Sequence, residues 1–203
     1  VALIFDYESC WAWDVLPQGK DFSYFELVYD YYRVLRSLGL SIDIVSPNES
    51  NLSGYQVLLM PGLMHVGEQL ESAIKGFDGV VISGPRTGSK TLDMSIPENL
   101  PPVVPRINGT VARVETLRPN ALIPIQNHGF FKKCMETLVD SDEIIEFCDD
   151  GRPAIIGDGK NLYIAGWADQ GTLKVIFSGV CSDQGIQTTE LSDCVRVRDT
   201  LNH

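Results

Sequence analysis

VALIFDY, residues 1–7, is an apolar run with β-branched character that breaks only at Asp6. A strand with one wet face alternates apolar and polar residues, whereas an unbroken apolar run belongs to a strand covered on both faces in a parallel sheet. The run has no basic flank and is too short for a secretory signal, so it reads as the first strand of an α/β domain.

Working outward, YFELVYDYYRVLRSLGL places Leu27, Tyr31, Leu35 and Leu38 at three- and four-residue steps, and Gly39 supplies the stop of a helix. SIDIVSP reads as a second strand ended by Pro47, and SGYQVLLMPG as a third. HVGEQLESAIKGF carries Leu70, Ala73, Ile74 and Phe77 on one helical face, and GVVISGP is a fourth strand. This alternation predicts a doubly wound, flavodoxin-like α/β sheet.

After Gly84 the regularity stops. Pro85, Pro97, Pro101, Pro102 and Pro105 forbid helix and central strand across the segment, and a loop that long in a compact domain is functional or interfacial. GTVARVETL and ALIPIQ then read as short strands of a small β annex. IIEFCDDGRPAIIGDGKNLYIAGW reads as two hairpins turning at DDG and GDGK, TLKVIFSGVCSDQGI as the last helix, and VRVRDT as a closing strand.

The totals bound the function. At 203 residues and 44% hydrophobic content the chain can bury the core of one domain, and no apolar run approaches the roughly 20 residues of a membrane helix. Lys and Arg number 16 against 27 Asp and Glu, a net charge of −11 that disfavours nucleic acid. Five cysteines without CxxC spacing fit reduced thiols and a cytoplasmic protein rather than a disulfide framework or a metal site.

Several constellations invite chemistry. GPRTGSKT (84–91) nearly spells the phosphate loop GxxxxGK[ST], but Ser89 stands where the last glycine belongs and LDMSIPENLPP cannot supply the helix that follows. For amidotransferase-type hydrolysis, Ser83 stands at the end of a strand, but no elbow into a helix follows it; His65, His128 and His203 carry no catalytic signature. Asp6, Glu8 and Asp14 would repel the phosphate of a flavin mononucleotide. Asp6 and Glu8, two residues apart on an extended segment, lie about 7 Å apart, beyond the ~5–5.5 Å of a retaining glycosidase pair. The sequence therefore implies no cofactor, no metal and no catalytic residue. Trp11 and Trp13, read as loop residues, remain with Tyr24 and Phe25 as an aromatic group at the sheet edge, matching either core or an interface hot spot.

Taken together, VALIFDYESCWAW, FSYFELVYDYYRVLRSLGLSIDIV, LSGYQVLLMPGL and FDGVVISGPRTGSKT with IPENLPP resemble the middle domain of family 42 glycoside hydrolases, the β-galactosidases. GRPAIIGDGKNLYIAGW and CVRVRDT fit that domain's end; DYES and GPRTGSK are the most specific parts. Cys10 departs from the family pattern, and residues 103–131 match it loosely. The resemblance implies a class I glutamine amidotransferase-like fold without amidotransferase chemistry, occupying 1–203 as one domain of a longer chain. A catalytic barrel would precede it and a small β-sandwich follow it, in a retaining β-galactosidase.

The resemblance further implies a homotrimer in which the domain meets the barrel of its own and a neighbouring subunit. Loops 6–24 and 84–102 are then the candidate contacts, with Trp11, Trp13 and Tyr24 as anchors and Arg86 and Lys90 as charge partners. A free-standing amidotransferase-like hydrolase and a small-molecule-binding module of the same fold are the alternatives.

Overall fold

In the computed structural model, which describes residues 1–141, 143–192 and 195, the opening run is a strand buried along its whole length. The first part of the chain runs β1 (Ala2–Ile4), α1 (Tyr7–Val15), α2 (Tyr24–Ser37), β2 (Asp43–Val45), β3 (Val57–Met60), α3 (Glu68–Lys75) and β4 (Val80–Ser83). Beyond a long loop follow β5 (Thr110–Thr116), β6 (Ile123–Pro124) and β7 (Phe130–Val139). The chain continues through β8 (Ile144–Phe147), β9 (Pro153–Gly157), β10 (Asn161–Ile164), β11 (Gly166–Ala168) and α4 (Gln170–Asp183).

The central sheet has the order β2-β1-β3-β4-β10-β9-β8. Its first five strands are parallel, with Leu3 opposite Leu59, Leu59 opposite Ile82, and Ile82 opposite Leu162. The two predicted hairpins then append β9 antiparallel to β10 and β8 antiparallel to β9. Alternate residues of the parallel strands enter two cores. Leu3, Leu59, Ile82 and Ile164 pack with Leu27, Tyr31, Leu35 and Phe177, while Ile4, Leu58, Met60 and Val81 pack with Leu70 and Ile74. β1, β3 and β4 are covered on both faces and are apolar except for the terminal Ser83, whereas the edge strand β2 is largely exposed and opens on Asp43.

α2 follows its sequence signals closely. The Ser23 hydroxyl accepts the Glu26 amide at 3.3 Å, Glu26 sits in the first turn and Arg36 in the last, and Gly39 leaves the helix at φ +76°. The strand expected at VRVRDT lies, apart from Val195, outside the described residues.

The annex is a four-stranded antiparallel sheet, β11-β7-β5 with β6 also on β7. A carboxylate joins it to the main body. Asp30 of α2 accepts hydrogen bonds at 3.0 Å from Lys132 Nζ of β7, Trp167 Nε1 of β11 and Gln170 Nε2 of α4. Burial disfavours the charged form of Asp30, but these donors outweigh it and hold the carboxyl below its usual range. A depressed folded-state value means stability that is complete above about pH 4 and is lost as pH falls through that folded value. Asp30→Asn should therefore flatten the acid limb of the stability profile in urea titrations; an unchanged acid limb would show that the pairing carries no linkage.

Candidate subunit interface

The segment after β1 is a helix, not the loop expected from sequence. Asp6 is its N-cap: one carboxylate oxygen accepts the Glu8 amide at 3.3 Å, the other the Ser9 amide at 2.8 Å and the Ser9 hydroxyl at 2.6 Å. Asp6 thus satisfies the orphan donors of α1 rather than pairing with Glu8 as an acid couple. Ser9 in turn accepts the Met64 amide at 3.0 Å, which pins α1 to the loop after β3.

α1 splits its two tryptophans. Trp13 is fully buried, stacks on Phe22 at 5.6 Å between centroids, and donates its Nε1–H to the Gly62 carbonyl at 3.2 Å. Tyr24 is fully buried as well, its hydroxyl accepting the Asp6 amide at 3.0 Å. Neither offers surface to a neighbour, so the interface role expected for these two is corrected: they are core. Trp11, by contrast, is 62% exposed.

Trp11 begins a row of rings. Its ring lies 6.4 Å from Tyr7, Tyr7 is 5.2 Å from Phe5, and Phe5 is 6.5 Å from Phe25. On α2 the row continues, Phe25 to Tyr29 at 5.9 Å and Tyr29 to Tyr32 at 6.2 Å, with the Arg33 guanidinium 5.9 Å over Tyr29. Val15, Leu16 and Leu92, each more than 70% exposed, extend the apolar surface at the Trp11 end. Phe5 and Tyr32 are half-buried against the core, while Tyr7, Trp11, Phe25 and Tyr29 are exposed, and exposed apolar surface of this extent marks an interaction site.

Sequence reasoning missed Phe5, Tyr7, Tyr29 and Tyr32. The signal was present: Phe25 and Tyr29 repeat at four residues on the face of α2 that the buried stripe Leu27, Tyr31, Val34 and Leu35 leaves outside.

Between α1 and the proline-rich loop lies a groove of about 700 Å³. Trp11, Ala12, Val15 and Leu16 line it from the helix, and Leu92, Met94 and Lys90 from the loop, with Arg86 nearly buried beneath. Lys90 meets no carboxylate among the described residues.

GPRTGS, residues 84–89, is buried throughout, and the amides of Gly84, Arg86, Thr87 and Gly88 are spent. The Gly88 amide donates to Leu63 at 2.8 Å, Thr87 to Gly84 at 3.3 Å, Lys90 to Met64 at 2.8 Å and Arg86 to Glu136 Oε2 at 3.2 Å. A phosphate would find no free nest here. Gly88 is fixed by geometry: at φ +65°, a Cβ would stand 2.5 Å from the Val103 carbonyl oxygen.

Arg86 also departs from its expected role. Its guanidinium pairs at 3.5 Å with Glu136 of β7, whose carboxylate is fully buried and accepts the Tyr163 hydroxyl at 2.5 Å. The charge partner of Arg86 lies within the chain, and the pair fastens the GPRTGSK loop to the annex.

Hydrolytic chemistry finds no support among the described residues. Ser83 is buried, its hydroxyl unpartnered, and no elbow lifts it into a cleft. His65 Nδ1 contacts the Lys90 carbonyl at 3.2 Å, and His128 approaches Glu146 at 4.0 Å. Burial pushes the Cys134 and Cys148 thiols up to about 12, the opposite of an activated nucleophile. Cys10 is raised too, by burial and then by Asp14 and Asp6. No group of three or more His, Cys, Asp or Glu able to hold a metal occurs among the described residues.

Comparison with known proteins agrees with this arrangement. The family described as "Beta-galactosidase trimerisation domain" matches residues 1–187. β-Galactosidase BgaA of a Thermus species is 35% identical over 98% of this chain, which spans 31% of that protein. Among solved structures, β-galactosidase from the psychrophilic Marinomonas ef1 superposes with a TM-score of 0.90 at 34% identity, covering 98% of this chain and 31% of that one. The β-galactosidase of the Antarctic haloarchaeon Halorubrum lacusprofundi follows at 0.87 and 29%, covering 96% of this chain and 32% of that one. The chain thus spans about a third of the length of these relatives. A mixed sheet capped on both faces, a small antiparallel annex, a sealed GPRTGSK loop and a wide exposed apolar surface are how this sequence builds the domain, and the chain belongs to the β-galactosidase trimerisation-domain family.

Proposed function

We propose that this domain holds the subunits of a larger β-galactosidase in a trimer and takes no chemical step itself. The observation that carries the proposal is the row of six rings from Trp11 to Tyr32, flanked by Val15, Leu16 and Leu92, on a chain in which Ser83, Cys134, Cys148 and Cys181 are buried. Water contact with such a surface is unfavourable at roughly 25 cal/mol per Å² of apolar area, which association relieves. Aromatic anchors in a desolvated patch are the side chains that dominate binding energy at interfaces. The glycosidic chemistry of the parent enzyme then belongs to residues outside this chain, and this domain supplies geometry.

Trp11→Arg in the full-length enzyme tests the proposal. Trp11 is mostly exposed, so folding should survive with a change within about 0.5 kcal/mol. The expected result in sedimentation velocity is a shift from trimer to monomer at micromolar concentration. A folded variant that sediments as the trimer would overturn it.

A further inference from the structure

The trimer reading leaves open which surface meets which, and the two ends of the aromatic row differ in shape. We propose that they are the two halves of one contact: the α2 ridge of each copy, Phe25 and Tyr29, seats in the groove between α1 and the 90–94 loop of the next copy. This inference rests on the trimer reading above.

Symmetry sets the requirement. A self-complementary patch closes at two subunits, whereas a ring of three is built from heterologous contacts, in which every chain presents two unlike and mutually complementary surfaces. Both kinds are present here. The groove is concave, about 700 Å³, with apolar walls from Trp11, Val15, Leu16 and Leu92. The ridge is convex, the outer face of a helix, with Phe25 58% and Tyr29 47% exposed.

Each surface carries both signs, Glu8 lining the groove beside Lys90 and Arg33 lying over Tyr29 on the ridge, and one pair across the contact is complementary. Lys90 in the groove lacks a carboxylate partner among the described residues, although the chain carries a net charge of −11. Glu26, next to Phe25 on the ridge, keeps 60% of its side chain exposed even while contacting Lys133. Seating the ridge brings that carboxylate to the ammonium group.

Their placement also suits a ring. A three-fold ring accepts two contact faces that adjoin each other near the axis as well as two that are separated by an open centre. Tyr7 and Phe5 join groove to ridge without a gap, ring to ring at 6.4, 5.2 and 6.5 Å. An α2 ridge pairing with another α2 ridge would instead be isologous and stop at a dimer.

Two variants of the full-length enzyme test the pairing, Trp11→Arg to block the groove and Tyr29→Arg to block the ridge. Each alone should raise the concentration at which trimer forms by about thirtyfold or more, the loss of one interface anchor. Mixed in equal amounts, one variant still offers an intact ridge and the other an intact groove, so a heterodimer should form that cannot close into a trimer. Native mass spectrometry with one variant isotopically labelled reads this directly. Monomers in the mixture as well as alone would overturn the pairing while leaving the trimer reading intact. Trimers in either single variant would overturn the assignment of this surface itself. Circular dichroism checks folding, and Val15→Arg with Phe25→Arg repeats the test at the same two surfaces should either first variant misfold.

Discussion

Glu136→Ala should lower the stability of the fold by about 3–5 kcal/mol, the cost of breaking a buried ion pair from one side. The carboxylate is fully buried and receives three groups: the Tyr163 hydroxyl at 2.5 Å, the Arg86 amide at 3.2 Å and the Arg86 guanidinium at 3.5 Å. Burial pushes its carboxyl up, and the guanidinium, the hydroxyl and the amide pull it back toward ionisation. Truncation strands all of these donors, and the guanidinium already has a buried Nε without a partner. An uncompensated cation in the interior dominates the loss.

In a domain of this size the loss corresponds to a fall in melting temperature of about 6–20 °C. Glu136→Gln, which keeps an acceptor for the hydroxyl and the amide, should lose less. The double variant Arg86→Met with Glu136→Leu should recover much of the loss, because it removes both charges together, but not all of it, since the amide at position 86 still lacks its acceptor. A Glu136→Ala protein melting within about 2 °C of the parent would show that solvent reaches the pair and that the loop is not fastened through it.

The parallel sheet was legible in the sequence because its physics is local. VALIF, VLLM and VVI are unbroken apolar runs, and each holds a strand buried on both faces. α2 was legible through Leu27, Tyr31 and Leu35, and the prolines after Gly84 correctly forbade regular structure up to β5. α1 escaped because YESCWAWDV has almost no helical periodicity; only Asp6, three residues ahead of Ser9, marked its start, and that carboxylate drew attention as a possible acid.

β7 escaped for a different reason. FFKKCMETLV neither alternates nor runs apolar, since β7 lies between β5 and β11 and buries Phe131, Cys134, Met135, Glu136 and Leu138 without a period of two. The role of Arg86 followed the same blind spot, as its partner lies 50 residues away on the strand that was not read. The interface residues were half legible. Trp11 and Trp13 drew attention together, but burial separates them, and no rule of composition says which of two tryptophans a helix turns inward.

That separation gives the second large effect. Trp13→Ala should cost about 3–5 kcal/mol, the range for truncating a buried large aromatic, because the cavity it leaves is walled on several sides. Phe22 stacks on the indole at 5.6 Å and stands 6.1 Å from Trp167 of β11, so Trp13 is one end of a ring contact that ties α1 to the annex. Gly62 at φ +69° admits the indole; a Cβ there would come within 3.3 Å of the Trp13 ring and 3.0 Å of Leu27. The hydrogen bond from Nε1 to the Gly62 carbonyl adds a buried acceptor that alanine leaves unmet. Trp13→Phe keeps the ring and loses that bond, so it should retain most of the stability. Because the outer face of α1 is aimed by what holds its inner face, Trp13→Ala should weaken the trimer as a consequence of a lower melting temperature. Trp11→Arg, two residues earlier, should weaken the trimer at an unchanged one. Thermal melts and sedimentation on the two variants separate these outcomes, and a Trp13→Ala protein as stable as its parent would mean that α1 is held by the Asp6 cap and Ser9 alone.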